Sequence, residues 1–260
     1  MKTGMISSLL SALCLLCAAP AFAAHPLATD DAGTNGRMKF QVETSAEFAW
    51  DKRDSITADS QSVGLVVSAG LLDTLDVFVA FPITWQQVKD NGEKLLDNGG
   101  LNDLSMSLKW RFLELGPASL AIKPAVTFPT GDYNRSLGSG RPAYGVTLIS
   151  TVEFKPIAVH ANIGYTLQKY TDADKSANRE SIWNFSLAGT FEVMHRLQLV
   201  AEIGTATNPD KASTIWPTFM TGGIIYSAFD SLDLSLGVKG GLNSPETDIA
   251  LLTGLTFKFP

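Results

Sequence analysis

His160 and Asn162 stand two residues apart, as do Lys109 and Arg111, while Glu43 and Glu47 stand four apart. On an extended chain such spacings put each pair on one face. A face carrying imidazole, amide, ammonium and carboxylate groups can transfer protons, ligate a metal ion or line a polar path for a solute. Nucleophilic catalysis needs a base beside a hydroxyl or thiol, and no motif links the serines, histidines and acids here. Among the three histidines, none has a second ligand at a diagnostic spacing, so no metal, cofactor or catalytic residue is expected. The polar set Glu43, Glu47, Asp103, Lys109, Arg111, Lys123, His160, Asn162, Glu202 and Lys239 then reads in two ways. It is a path for small molecules, or a network of ion pairs that stiffens a wall. His25, followed by Asp30 and Asp31, could chelate a metal ion only weakly, and fits better as part of an ordered lead-in.

The elements that must carry these residues repeat one pattern. In 39–50, Phe40, Val42, Thr44, Ala46, Phe48 and Trp50 alternate with Lys39, Gln41, Glu43, Ser45, Glu47 and Ala49, which is the period of a strand with one oily and one wet face. The pattern returns in Leu75, Val77, Val79, Phe81, Ile83 and Trp85, and again in Met106, Leu108, Trp110 and Phe112, which alternate with Ser105, Ser107, Lys109 and Arg111. It recurs in nearly every later segment. Only 216–226 lacks a clearly polar face. Oily faces ending in aromatics suit a membrane interface, and connections that alternate between long and short suit an outer-membrane barrel. The expected fold is all-β: a transmembrane antiparallel up-and-down β-barrel of about 12 strands, about 24 Å across. Polar stretches at 51–60, 89–100, 130–141 and 171–180 are expected as its long external loops, and Asp172 and Asp174 as solvated surface. Pro82 and Pro124 fall inside expected strands and predict bulges or strand ends, because proline cannot donate to a ladder.

Residues 1–23 read as a secretory signal: Lys2, an apolar run and Ala21-Phe22-Ala23. Cleavage there would leave a lead-in at 24–38, placed on the periplasmic side and folding under or into the barrel mouth, and a barrel at 39–260. Both cysteines, Cys14 and Cys17, precede the cleavage point, so the mature chain would have neither disulfides nor thiolate chemistry. Removing Lys2 takes the formal net charge from −6 to −7, which argues against a nucleic-acid partner. The expected partners are outer-membrane lipids, the barrel-assembly machinery and a small-molecule substrate, in the outer membrane of a Gram-negative-type cell.

The run His25-Pro26-Leu27-Ala28-Thr29-Asp30-Asp31-Ala32-Gly33-Thr34-Asn35-Gly36, with 100–103 (Gly-Leu-Asn-Asp), 128–132 (Phe-Pro-Thr-Gly-Asp) and 138–140 (Gly-Ser-Gly), resembles the Putative MetA-pathway of phenol degradation family. The resemblance covers essentially the whole mature chain and implies an outer-membrane β-barrel transporter, not an enzyme, that moves small aromatic or otherwise hydrophobic molecules. It marks His25, Pro26, Thr29, Asp30, Asp31, Gly33, Thr34 and Gly36 as the most specific motif. One departure is the ending Phe259-Pro260, where such barrels usually finish on the aromatic residue itself. An outer-membrane enzyme acting on lipid or peptide, and a structural barrel with a filled lumen, are the competing expectations.

Overall fold

The two-residue period becomes thirteen strands in the computed structural model, which describes residues 25–260. They are β1 (Phe40–Arg53), β2 (Ile56–Leu72), β3 (Leu75–Asp90), β4 (Glu93–Leu101), β5 (Leu104–Leu115), β6 (Ala118–Phe128), β7 (Ala143–Phe154), β8 (Ile157–Gln168), β9 (Ser181–Met194), β10 (Leu197–Ala206), β11 (Thr218–Phe229), β12 (Leu232–Gly241) and β13 (Ile249–Phe259). The strand pairs are antiparallel, and β13 returns to β1 with Phe40 opposite Phe259 and Trp50 opposite Ile249. That last pairing closes the wall. Closure leaves no open sheet edge facing hydrocarbon along the seam, which is what makes a sheet tenable in lipid. The expected signal peptide and both cysteines lie outside the described residues.

Twelve strand positions encircle the barrel, because β4 and β5 are two pieces of one strand. β3 pairs with β5 over residues 75–80 and with β4 over residues 83–90. Pro82 stands at the changeover, where a missing N–H costs the ladder nothing, and its carbonyl accepts from the Asn102 N–H at 2.9 Å. Pro124 in β6 likewise faces an interruption, since the β5–β6 register skips from Ser107–Ala125 to Trp110–Ile122. Both prolines thus sit at the irregularities their chemistry requires.

Two expected loops are corrected. The stretches 51–60 and 89–100 are strand, and the chain reverses in two residues at Asp54-Ser55 and Asn91-Gly92. Asn91 and Gly92 both have positive φ (50° and 85°), as a tight hairpin turn demands, and Asn-Gly is the pair that adopts it most readily. Polarity of these stretches marks ribbon that stands clear of the oily band. It does not mark loop. The four remaining connections at that rim, 129–142, 169–180, 207–217 and 242–248, are long, whereas those at the other rim are two residues each.

Face assignment follows the alternation. Met106, Leu108, Trp110 and Phe112 are 42–52% exposed on the outer surface, while Ser105, Ser107 and Lys109 between them are buried inside. Exposed Trp50, Trp85, Tyr144, Trp183 and Trp216 lie toward the long-loop rim, and exposed Phe40, Phe112, Phe154, Phe191, Phe229 and Phe259 toward the tight-turn rim. These are two aromatic girdles bounding an apolar band. Arginine at Leu108 should therefore lower stability in lipid vesicles by about 2–4 kcal/mol, read as the fraction folded across a urea series. Equal stability of Leu108→Arg and wild type would refute the outward assignment of this face.

Candidate functional site: a segment seated across the lumen

Residues 25–38 run through the inside of the barrel, so the lead-in enters the lumen and does not lie beneath it. The His25 ring Nδ1 is 2.9 Å from Ser235 Oγ on β12. Pro26 packs where β11 and β12 lack side chains, at Gly223 and Gly237. Leu27 is buried with Ala188, Val200 and Ile225. The Ala28 and Thr29 N–H groups and the Thr29 hydroxyl all donate to the Glu202 carboxylate at 2.9 Å. Farther along, the Ala32 N–H donates to Thr151 Oγ1 (2.9 Å), the Asn35 N–H to Asp76 (2.8 Å) and the Asn35 amide to Ser68 (2.9 Å). At Gly70 the segment comes so close that an added Cβ would lie 1.8 Å from the Gly36 carbonyl oxygen. Only glycine admits that crossing. One short stretch touches side chains or backbone from β2, β3, β5, β6, β7, β8, β9, β10, β11, β12 and β13.

Asp30 is the centre of the seat. Its carboxylate is 1% exposed and bridges Lys109 Nζ (3.1 Å) and Lys123 Nζ (2.6 Å), which reach inward from neighbouring strands. Lys109 also donates to the Asp31 carbonyl at 3.1 Å. The Lys123 and Lys109 ammonium groups lie 4.5 and 5.5 Å from the Phe78 ring centre, a second neutralising contact. With its amide turned to suit its neighbours, Asn162 donates to the Asp30 carbonyl (2.9 Å) and accepts from the Asp30 N–H (2.6 Å). Two buried cations around one carboxylate would be costly without this set of partners.

Burial alone would push the Asp31 carboxyl up, but Lys109, His160, Lys123 and the Gly33 N–H together hold it below the usual carboxylate value. Burial pushes the His25 imidazole down to about 4, opposed by Glu47. Since an unseated His25 would titrate near 6.5, its contribution to seating is complete above that pH and is lost as pH falls toward about 4.

The expected lumen residues separate by what they touch. Lys109, Lys123, Asn162 and Glu202 grip the segment directly. His160 acts one step behind, its Nδ1 3.0 Å from the Thr151 hydroxyl that receives Ala32. Thr151 is 1% exposed, and this hydroxyl–imidazole pair holds the segment. Glu47 pairs with Lys239 at 3.0 Å beside the His25 end, and the Gln41 amide donates to Glu43. Arg111 lies at the tight-turn rim, on the Asp73 carbonyl (3.3 Å) and Glu114 (3.3 Å).

Asp103 is a correction: it does not line a path. Its carboxylate accepts from the N–H groups of Gly131 (3.0 Å) and Ser139 (2.9 Å), clamping the 129–142 connection over the β4–β5 break. Two of the motifs noted in the sequence, 100–103 and 128–132 with 138–140, are thus two sides of one joint. Asp174 is a second correction. It is half-buried and accepts from the Tyr133 hydroxyl at 2.8 Å, where solvated surface was expected, because its helical turn folds back onto the 129–142 connection. Sequence reasoning missed Thr151, Ser68 and Ser235 as contacts of the segment; their only signal was polarity on an inward face. Among the described residues no group of three or more His, Cys, Asp and Glu side chains is gathered to hold a metal ion.

Two outcomes follow from this geometry. Asp30→Asn strands two buried ammonium groups and should weaken seating by about 3–5 kcal/mol, seen as faster hydrogen exchange at residues 28–35, whereas Asp172→Asn on an exposed loop should leave exchange unchanged. Lowering the pH from about 6.5 toward 4 should reduce the protection of Leu27 and Ala28, read as exchange relative to the intrinsic rate at each pH, in wild type, and His25→Gln should remove that loss of protection.

Comparison with solved structures returns outer-membrane barrels. The COG4313 outer membrane channel from Pseudomonas putida F1 superposes with a TM-score of 0.69 at 17% identity, over 88% of this chain and 98% of that one. The KdgM porin gives 0.56 at 7% identity, over 85% and 99%. The translocator domain of the autotransporter NalP from Neisseria meningitidis gives 0.54 at 9%, over 98% of both chains. At these identities the likeness is one of fold. No curated protein matches the sequence. Residues 26–259 match the family described as Putative MetA-pathway of phenol degradation, and with nearly every described residue inside that match, the chain belongs to this family.

Proposed function

We propose that the protein is an outer-membrane channel for small molecules whose conduction is limited by its own N-terminal segment. The observation that carries this reading is how the lumen is filled. The inward face holds short polar residues such as Ser68, Ser105, Ser107, Thr151, Asn162 and Ser235, and the space they leave is taken by residues 25–38. A barrel meant to be solid would fill its interior with large side chains from its own strands, as small barrels do. Here the filling is separable from the wall and is held largely by hydrogen bonds and ion pairs. When it leaves its seat, a polar tube remains.

In this reading the long-loop rim is external and the tight-turn rim is periplasmic, the usual arrangement of such barrels. The family description supports aromatic or otherwise hydrophobic small solutes as the class carried. The surroundings of the channel are outer-membrane lipid, and the assembly machinery would read the aromatic alternation Phe257, Phe259 on β13. Catalysis finds no support in the lumen, where both hydroxyl–imidazole contacts, His25–Ser235 and His160–Thr151, serve to hold the segment. A permanently filled structural barrel is the second reading, favoured by the number of strands the segment touches.

Conductance in planar bilayers separates them. Full-length protein should show small or intermittent openings, and a variant lacking residues 25–36 should conduct several-fold more while still shifting on gels with heating. Liposome swelling with a panel of aromatic and aliphatic solutes then reads the class carried. Silence from both forms, each verified as folded, would overturn the channel in favour of the filled barrel.

A further inference from the structure

At the long-loop rim, a pocket of about 320 Å³ is lined by Lys175, Arg179, Glu180, Ser181 and Lys211. It joins α1 (Asp172–Lys175) and the rest of the 169–180 connection to the 207–217 connection. Its position relative to the membrane follows from Ser181. In β9 the odd-numbered residues 181, 183, 185 and 187 are exposed on the outer face, and Ser181 Oγ lies 3.1 Å from the hydroxyl of Tyr165 on β8. Immediately below on the same face is a chain of aromatics: Tyr165 tilted against Trp183 (4.9 Å between ring centres), Trp183 stacked on Phe185 (6.3 Å) and Phe185 on Trp216 (6.1 Å). Aromatic girdles sit at headgroup depth. A pocket that begins just beyond one therefore faces the phosphate layer of the leaflet.

The lining carries three cations and one carboxylate, on a chain whose overall charge is negative. Glu180 is occupied by Lys169 at 3.4 Å. Arg179 is held in place by the carbonyls of Asn208 (2.7 Å), Asp210 and Lys211 (3.2 Å), and its own N–H donates to the Pro209 carbonyl at 2.7 Å. Lys211 Nζ donates to the Lys175 carbonyl at 2.6 Å and is 3.4 Å from that of Ser176. The Lys175 ammonium has no acceptor among the described residues. Of the other acids on these connections, Asp174 accepts from Tyr133, Asp210 accepts from the Ala212 N–H, and Asp172 is exposed on α1 outside the lining. The two connections are thus stitched through carbonyl groups, which leaves positive charge concentrated and N–H donors to spare. That is how a phosphate is received.

We infer that Lys175, Arg179, Lys211 and Ser181 form a binding site for the phosphorylated headgroup of an outer-leaflet lipid, which fastens the external rim to the membrane. The inference rests on the long-loop rim being external. Orientation is tested separately, by labelling Lys175→Cys on intact cells with an impermeant thiol reagent.

Full-length protein in detergent would be titrated with a bisphosphorylated diglucosamine glycolipid and with its dephosphorylated counterpart, and lipid adducts counted by native mass spectrometry. Wild type should prefer the phosphorylated lipid. Lys175→Gln should reduce that preference about fivefold and Lys175→Gln/Lys211→Gln roughly twentyfold, since each cation near an anionic lipid surface contributes a similar increment. Lys175 bonds no other side chain, so the single variant tests the charge without disturbing the stitched loops. Equal binding of the two lipids by wild type, an unchanged preference in both variants, or loss of the preference when inorganic phosphate is added at the lipid's concentration would each overturn the lipid site. Labelling of Lys175→Cys is expected; failure to label would overturn the orientation, and this inference with it, while leaving conductance as the measure of the channel.

Discussion

The bridge from Asp30 to Lys109 and Lys123 is the contact on which the interior depends. Two ammonium groups on adjacent strands point into a space closed to bulk water, where burying charge is costly without an opposed carboxylate. That carboxylate comes from outside the wall. Lys109 and Lys123 give the lumen a charge for the N-terminal segment to meet, and Asp30 is the group of the segment that meets it. The remaining contacts, from Ser235 near His25 to Ser68 near Asn35, orient the chain on either side of that centre.

Such a bridge has a consequence for function. Apolar filling would be sealed by the hydrophobic effect, with no sensitivity to charge. A polar seat instead depends on partners being present and correctly protonated, so it can be weakened by one lost group while the wall, closed by β1 against β13, stays intact. Wall and filling are therefore energetically separable. This separability is what the proposed channel, limited by its own N-terminal segment, would draw on.

The same logic accounts for the one strand whose pattern was indistinct. In β11 the outer face carries Met220, Ile224 and Tyr226, and the inner face carries Gly223 and Ile225, which meet Pro26 and Leu27 of the seated segment. An inward face that packs on apolar residues has no need to be polar. The alternation is blurred there because its partner is a segment nearly two hundred residues away in sequence.

Twelve of the thirteen strands, the direction of nearly every face and the placing of Pro82 and Pro124 at interruptions were legible in the sequence, because alternation and the missing proline N–H are local properties. Strand lengths at 51–60 and 89–100 were not, since polarity signals water, and water bathes a protruding ribbon as readily as a loop. The Asn91-Gly92 pair is itself a local signal for a two-residue hairpin turn. What only the tertiary structure decided is the pairing of distant groups: Asp30 with Lys109 and Lys123, Glu202 with the Ala28 and Thr29 amides, Asp103 with the 131–139 backbone. A carboxylate in a sequence carries its charge but not its address. The address is set when the barrel closes and brings eleven strands around one short segment.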